Sequence, residues 1–119
     1  MSKPFAVIIE DDRELGAIVS EILQTAGVET DVIVNGSLAL KRLTELTPEM
    51  VILDILLPDM SGLDILRHIR SDPRLNPIKV VVITADTTGA LAAEEDADLV
   101  LTKPVTYTQL LDLAEWLLT

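Results

Sequence analysis

The chain contains no cysteine, which rules out disulfide bonds, thiolate catalysis and zinc-thiolate sites. Basic residues are scarce: nine Lys and Arg stand against twenty Asp and Glu, for a formal net charge of −11. That excess opposes direct nucleic-acid binding, which needs cations to neutralise phosphates, and it opposes docking on anionic membranes. Its plainest effect is solubility. No Gly/Ser-rich or Pro-rich linker, repeat or low-complexity tract interrupts the sequence. Met1 to Pro4 leads into an apolar stretch that already ends at Glu10, too short for a signal peptide or a transmembrane span. With 119 residues, 49% of them apolar, the expectation is one cytoplasmic domain covering 1–119, with no output domain visible after Thr119.

What the sequence does contain is a regular alternation. Continuous apolar runs at Phe5–Ile9, Met50–Leu53 and Leu99–Leu101, with the strongly β-branched Ile78–Ile83, read as strands covered on both faces. Val28–Val34 is more polar and reads as a further strand, suited to an edge. Between them lie stretches with helical spacing. Arg13–Ala26 repeats Leu15, Ile18, Val19, Ile22, Leu23 and Ala26, with Gly27 placed to end it. Asn35 can cap a helix reaching about Leu46, with Leu38, Ala39 and Leu43 as its apolar positions. Leu63–Arg70 turns Leu63, Ile65, Leu66 and Ile69 inward, and Thr88–Glu95 is a short Ala-rich helix. Thr106 opens the last helix, with Gln109 completing a capping box. Five strand–helix units imply an α/β fold with a parallel sheet and helices on both faces. The right-handed crossover rule then favours the flavodoxin-like strand order 2-1-3-4-5.

The reactive residues collect at one edge of that sheet. Glu10-Asp11-Asp12, Asp54, Thr84 and Lys103-Pro104 all sit at or just past the carboxyl ends of strands, where open α/β folds bind ligands. Glu10, Asp11 and Asp54 would repel one another and titrate as a set unless a hard cation joined them. Mg²⁺ suits few carboxylates and retained waters. The acidic triplet also suits the start of the following helix, Asp12 above all, so both readings stand. Asp54 lies between Val51-Ile52-Leu53 and Ile55-Leu56-Leu57, where an unpaired carboxylate is costly. It is placed to attack phosphorus and form an aspartyl phosphate, with a turn-forming aspartate as the alternative. Lys103 is the only Lys or Arg after Lys79 and is placed to pair with Asp54 or with phosphoryl oxygens. Thr84 offers a hydroxyl to the same group.

Four motifs in order, Ile8-Ile9-Glu10-Asp11-Asp12, Val51-Ile52-Leu53-Asp54 with Pro58 and Ser61-Gly62, Val82-Ile83-Thr84-Ala85 and Leu101-Thr102-Lys103-Pro104, make the chain resemble the receiver domain of two-component response regulators over essentially its whole length. The resemblance implies that Asp54 accepts a phosphoryl group from a histidine kinase or phosphotransfer protein. It implies Mg²⁺ held by Glu10, Asp11, Asp54 and the Leu56 backbone carbonyl, with Thr84 and Lys103 reading the phosphoryl oxygens. It also implies a cis peptide between Lys103 and Pro104. Such a domain is a switch of protein–protein interactions that assists its own phosphorylation and dephosphorylation, and not a turnover enzyme.

Two features depart from the family pattern. The usual strand-five aromatic, which swings inward with the threonine, is Val100, and the nearby Tyr107 lies beyond the lysine. The Thr84–Lys103 stretch is short by roughly one helical turn, so the fourth helix should be short. A degenerate receiver with altered output is therefore an alternative. A phosphatase using an aspartyl phosphate would need an acid where Leu56 stands, and no phosphate-cradling loop after the first strand supports flavin binding. The wide apolar arc of the last helix, including Trp116, together with the fourth helix and fifth strand, offers a face for an output partner or self-association. His68, the only histidine, reads as a solvated side chain beside Arg67.

Overall fold

The computed structural model describes residues 3–119. In chain order the elements are β1 (Phe5–Ile9), α1 (Arg13–Thr25), β2 (Glu29–Ile33), α2 (Gly36–Leu43), β3 (Met50–Leu53), α3 (Gly62–Ser71), β4 (Lys79–Thr84), α4 (Thr87–Ala93), β5 (Leu99–Thr102) and α5 (Tyr107–Leu118). All strand pairs are parallel and the order is β2-β1-β3-β4-β5. This is the expected flavodoxin-like topology, with β2 at an edge.

Alternation along each strand feeds two cores, one per sheet face. Val7, Ile9, Val51, Leu53, Val80 and Val82 pack under α2, α3 and α4 through Ala39, Leu43, Ile65, Leu66, Ile69 and Ala93. Ala6, Ile8, Met50, Ile52, Val81 and Ile83 pack under α1 and α5 through Val19, Leu23, Leu110, Leu113 and Ala114. Burying one such Ile, Leu or Val side chain is worth about 1.5–3 kcal/mol. The register aligns Ile9 with Leu53, Leu53 with Val82, and Val82 with Val100. The residues that follow, Glu10, Asp54, Thr84 and Lys103, are thereby delivered to one edge above a fully packed floor.

Local chemistry sets the helix ends. Asp12 caps α1 by accepting from the Glu14 and Leu15 amides, both at 3.1 Å. Gly27, at φ 102°, takes the left-handed conformation that ends the helix, and Val28 N donates to Leu23 O. Asn35 caps α2, and Thr106 with Gln109 forms the expected capping box. Three expectations need correcting. α2 stops at Leu43 and not Leu46, because the Arg74 guanidinium donates to the carbonyls of Leu43 and Leu46 and to the Thr47 hydroxyl. Ile18 is 48% exposed, so it flanks the inward stripe of α1 and does not belong to it; Leu38 of α2 is likewise exposed. α4 runs Thr87–Ala93, ending before Glu95. At seven residues it is the short helix expected from the missing turn.

The loop from Ile55 to Ser61 is closed on itself. Leu56 and Ser61 form an isolated antiparallel bridge, and Gly62 N donates to Ile55 O at 2.8 Å. A Cβ on Gly62 would lie 2.2 Å from the Asp54 carbonyl oxygen and 2.7 Å from Ile55 Cα, both backbone atoms. Gly62→Ala is therefore expected to lower stability by at least about 2 kcal/mol, measured by urea unfolding at constant slope. An unchanged midpoint would contradict this packing.

Candidate functional site

Glu10 and Asp54 follow adjacent strands, and the sheet ladder continues through them: Glu10 N donates to Ile33 O and Asp54 N to Ile9 O, each at 3.0 Å. Both are nearly buried, at 5% and 4% exposure. The Lys103 ammonium lies between them, 2.7 Å from Glu10 Oε1 and 2.8 Å from Asp54 Oδ2. The remaining carboxylate oxygens accept backbone amides, Asp12 N to Glu10 Oε2 at 3.2 Å and Leu56 N to Asp54 Oδ1 at 3.0 Å. Every buried side-chain polar atom among the described residues has a partner. The Lys103–Pro104 peptide is cis, and Lys103 N donates to Thr84 O at 2.9 Å.

One ammonium cannot neutralise two carboxylates. Burial pushes Glu10 up from its ordinary 4.5 to about 7, against the lowering effect of Lys103 and the Asp12 amide; the charge of Asp54 adds to the rise. Lys103 loses solvation, which alone would lower its pKa, but its bonds to Asp54 and Glu10 prevail and raise it, so it stays charged.

Asp11 is exposed, yet one oxygen each from Glu10, Asp11 and Asp54 fall within 4.8 Å of one another. An octahedral Mg²⁺ spans opposite oxygens about 4.2 Å apart, so this all-oxygen set fits such an ion after small side-chain shifts. Asp12 stands apart as the α1 cap, the helix-start role read for it from the sequence. Thr84 is fully buried and its Oγ accepts the Asp86 amide at 3.2 Å, which leaves the O–H to donate elsewhere. Leu56 touches the site through its amide, and its side chain is 53% exposed. Val100 is half-buried in β5, paired with Val82 and packed on the core shared by α2, α3 and α4. Tyr107 and His68 are exposed.

A family model described as the response regulator receiver domain matches residues 6–115. The chain belongs to that family. Receiver domains are, in general, non-enzymatic signalling domains that interact with histidine kinases or phosphotransfer proteins and typically bind Mg²⁺ at an acidic pocket. The chain is 36% identical over 99 residues to the DNA-binding response regulator MtrA of Mycolicibacterium smegmatis, a match covering 82% of this chain and 43% of that protein. It therefore spans less than half the length of this relative. Among solved structures, the receiver domain of a response regulator from Methylobacillus flagellatus superposes with a TM-score of 0.86 at 26% identity, covering 98% of this chain and 99% of that one. The BeF3-activated DrrB receiver domain superposes with a TM-score of 0.85 at 29% identity, covering 99% and 98%.

Two residues of this receiver domain escaped sequence reasoning. Asp59, in the loop after Pro58, ties that loop to α2. Asp86 looks like a strand-end polar residue, yet it sits at the N-cap of α4 and its amide holds Thr84. Neither is marked by a motif; both are found only through backbone amides distant or hidden in the sequence.

The Glu10 shift has a measurable consequence. A carboxyl whose folded pKa of about 7 exceeds its ordinary 4.5 favours the folded state below pH 4.5, and that contribution fades as pH rises through 7. Without divalent metal, the thermal midpoint should therefore rise on going from pH 8 to pH 6. Glu10→Gln should flatten this trend and raise the pH 8 midpoint by a few degrees, about 1 kcal/mol. Calorimetry in chelator tests both; equal pH slopes in the two proteins would contradict the assignment.

Proposed function

We propose that the chain is a phospho-acceptor switch: a single receiver domain covering 1–119 whose Asp54 takes a phosphoryl group from a histidine kinase or phosphotransfer protein and whose protein contacts change as a result. The observation that carries this reading is the shared Lys103 ammonium, which lies 2.8 Å from Asp54 Oδ2 and orients that carboxylate at a nearly buried strand end.

In the transfer, an Asp54 oxygen attacks phosphorus while the bond from phosphorus to the donor's imidazole nitrogen breaks, and that nitrogen keeps the electron pair. The Asp54 oxygen bonded to the Leu56 amide is fixed in place by it. Lys103 releases its hold on Asp54 Oδ2 and turns its ammonium to a phosphoryl oxygen, a redirection of an existing charge. Thr84 donates its free O–H to another. Glu10, Asp11, Asp54 and the Leu56 carbonyl are assigned to Mg²⁺, which when bound offsets the negative charge of the phosphoryl group. With Lys103 turned to the phosphoryl group, Glu10 would be free to hold the cation together with Asp11. Val100 presents no polar tip that could report this event through a buried-to-exposed turn.

The domain is assigned to the cytoplasm; no helix among the described residues is long and apolar enough to cross a membrane. Its −11 charge favours protein partners over nucleic acid.

Acetyl phosphate with Mg²⁺ should add one phosphoryl group to the intact chain, read as a mass increase. Asp54→Asn should abolish the adduct, and Lys103→Ala should slow its formation by at least about tenfold. A persistent adduct in Asp54→Asn would overturn the assignment.

A further inference from the structure

The Asp59 carboxylate reaches from the loop after β3 to the start of α2. Its Oδ1 accepts the Gly36 amide at 2.8 Å, and its Oδ2 accepts both the Ser37 amide at 2.9 Å and the Ser37 hydroxyl at 2.6 Å. Asn35 already caps α2 through the Leu38 amide at 2.8 Å, so Asp59 takes donors that Asn35 leaves over. The neighbouring Met60 is fitted against the same turn: a Cβ on Gly36 would come within 2.3 Å of Met60 Cγ. The hydrogen bonds from Ser37 and Gly36 hold Asp59 down at about 2, so the clasp stays ionised at any physiological pH.

This clasp lies within the loop that carries Leu56. One end of the loop is fixed by Asp54 and β3, the other by the Leu56–Ser61 bridge and the Gly62 amide. The midpoint, Pro58-Asp59, has no strand or helix to hold it. We infer that Asp59 is a positioning residue: by tying the middle of this loop to the N-terminus of α2, it holds the Leu56 backbone in the orientation in which it contributes to the divalent-cation site. The inference rests on the phospho-acceptor reading above, since it concerns the cation that Asp54 and its neighbours would hold. It assigns Asp59 no contact with the cation or the phosphoryl group.

Asp59→Asn keeps the shape but leaves one acceptor oxygen for three donors and turns an NH₂ toward the rest. In the full chain, Mn²⁺ binding followed by electron paramagnetic resonance should weaken about tenfold in Asp59→Asn. Ser37→Ala, which removes one donor of three, should weaken it about two- to threefold. Asp64→Asn removes an exposed charge at the same end of the molecule without touching the clasp, and should bind Mn²⁺ as wild type does. With acetyl phosphate as donor, the Mg²⁺ concentration for half-maximal phosphorylation should rise in Asp59→Asn while the rate at saturating Mg²⁺ stays within twofold of wild type. Wild-type affinity in Asp59→Asn, or equal weakening in Asp59→Asn and Asp64→Asn, would overturn the positioning role and leave the phospho-acceptor reading standing. If Asp59→Asn does not fold, wild-type affinity in Ser37→Ala overturns it. Absence of Mn²⁺ binding in the wild-type chain would instead overturn the phospho-acceptor reading, and this inference with it.

Discussion

The structure is organised around a charge imbalance: two nearly buried carboxylates, Glu10 and Asp54, share one ammonium, Lys103. A buried charge left without its partner typically costs about 3–5 kcal/mol, so neither carboxylate can be buried here without Lys103. The parallel sheet brings them together, since β1 and β3 are neighbours in register and β5 is reached across β4. The cores on the two sheet faces carry the cost of the cluster. Ile9, Leu53 and Val82 below it are completely buried. Even so the cluster is not at rest: Glu10, pushed up to about 7, lies close to taking a proton at neutral pH. The cluster is left one positive charge short.

Much of this was legible in the sequence because it depends on short-range pattern. Uninterrupted Val/Ile/Leu runs can be buried on both faces only in a covered parallel sheet, and acids or a lysine at their ends then have to share an edge. Capping chemistry was equally readable at Asp12, Asn35 and Thr106, since each acts within three residues of itself. What escaped were contacts across distance. Arg74 terminates α2 from 31 residues away along the chain, and Asp59 caps α2 from 22 residues away. Ile18 has helical spacing, but the width of the stripe that α1 buries is set by its neighbours β2 and α5. Local periodicity contains no information about that width.

The face formed by α4, β5 and α5 is built differently from the carboxylate cluster. Val100 is half-buried and packs against the edge of the core, whereas Thr84 is hydrogen-bonded to the amide of Asp86, the residue that opens α4. That helix is short, and Arg70 anchors the chain that follows it. Its guanidinium donates to Asp96 O, Asn76 O and Ile78 O and pairs with Asp98 at 2.9 Å, joining the loop after α3 to the loop after α4. On α5, the apolar arc divides as well. Leu110, Leu113 and Ala114 are buried, while Trp116 stays partly exposed with the Lys79 ammonium 5.3 Å from its ring centre. Thr84 is thus connected to the start of α4 through backbone and not through an aromatic ring on β5.

The most direct test of the central claim is fluorine NMR of the wild-type chain with beryllofluoride, which binds an aspartate as a stable mimic of its acyl phosphate. The wild-type chain should give bound-fluoride resonances that require Mg²⁺ and are absent in Asp54→Asn. Bound resonances that survive in Asp54→Asn, or none in the wild-type chain at saturating Mg²⁺, would contradict it.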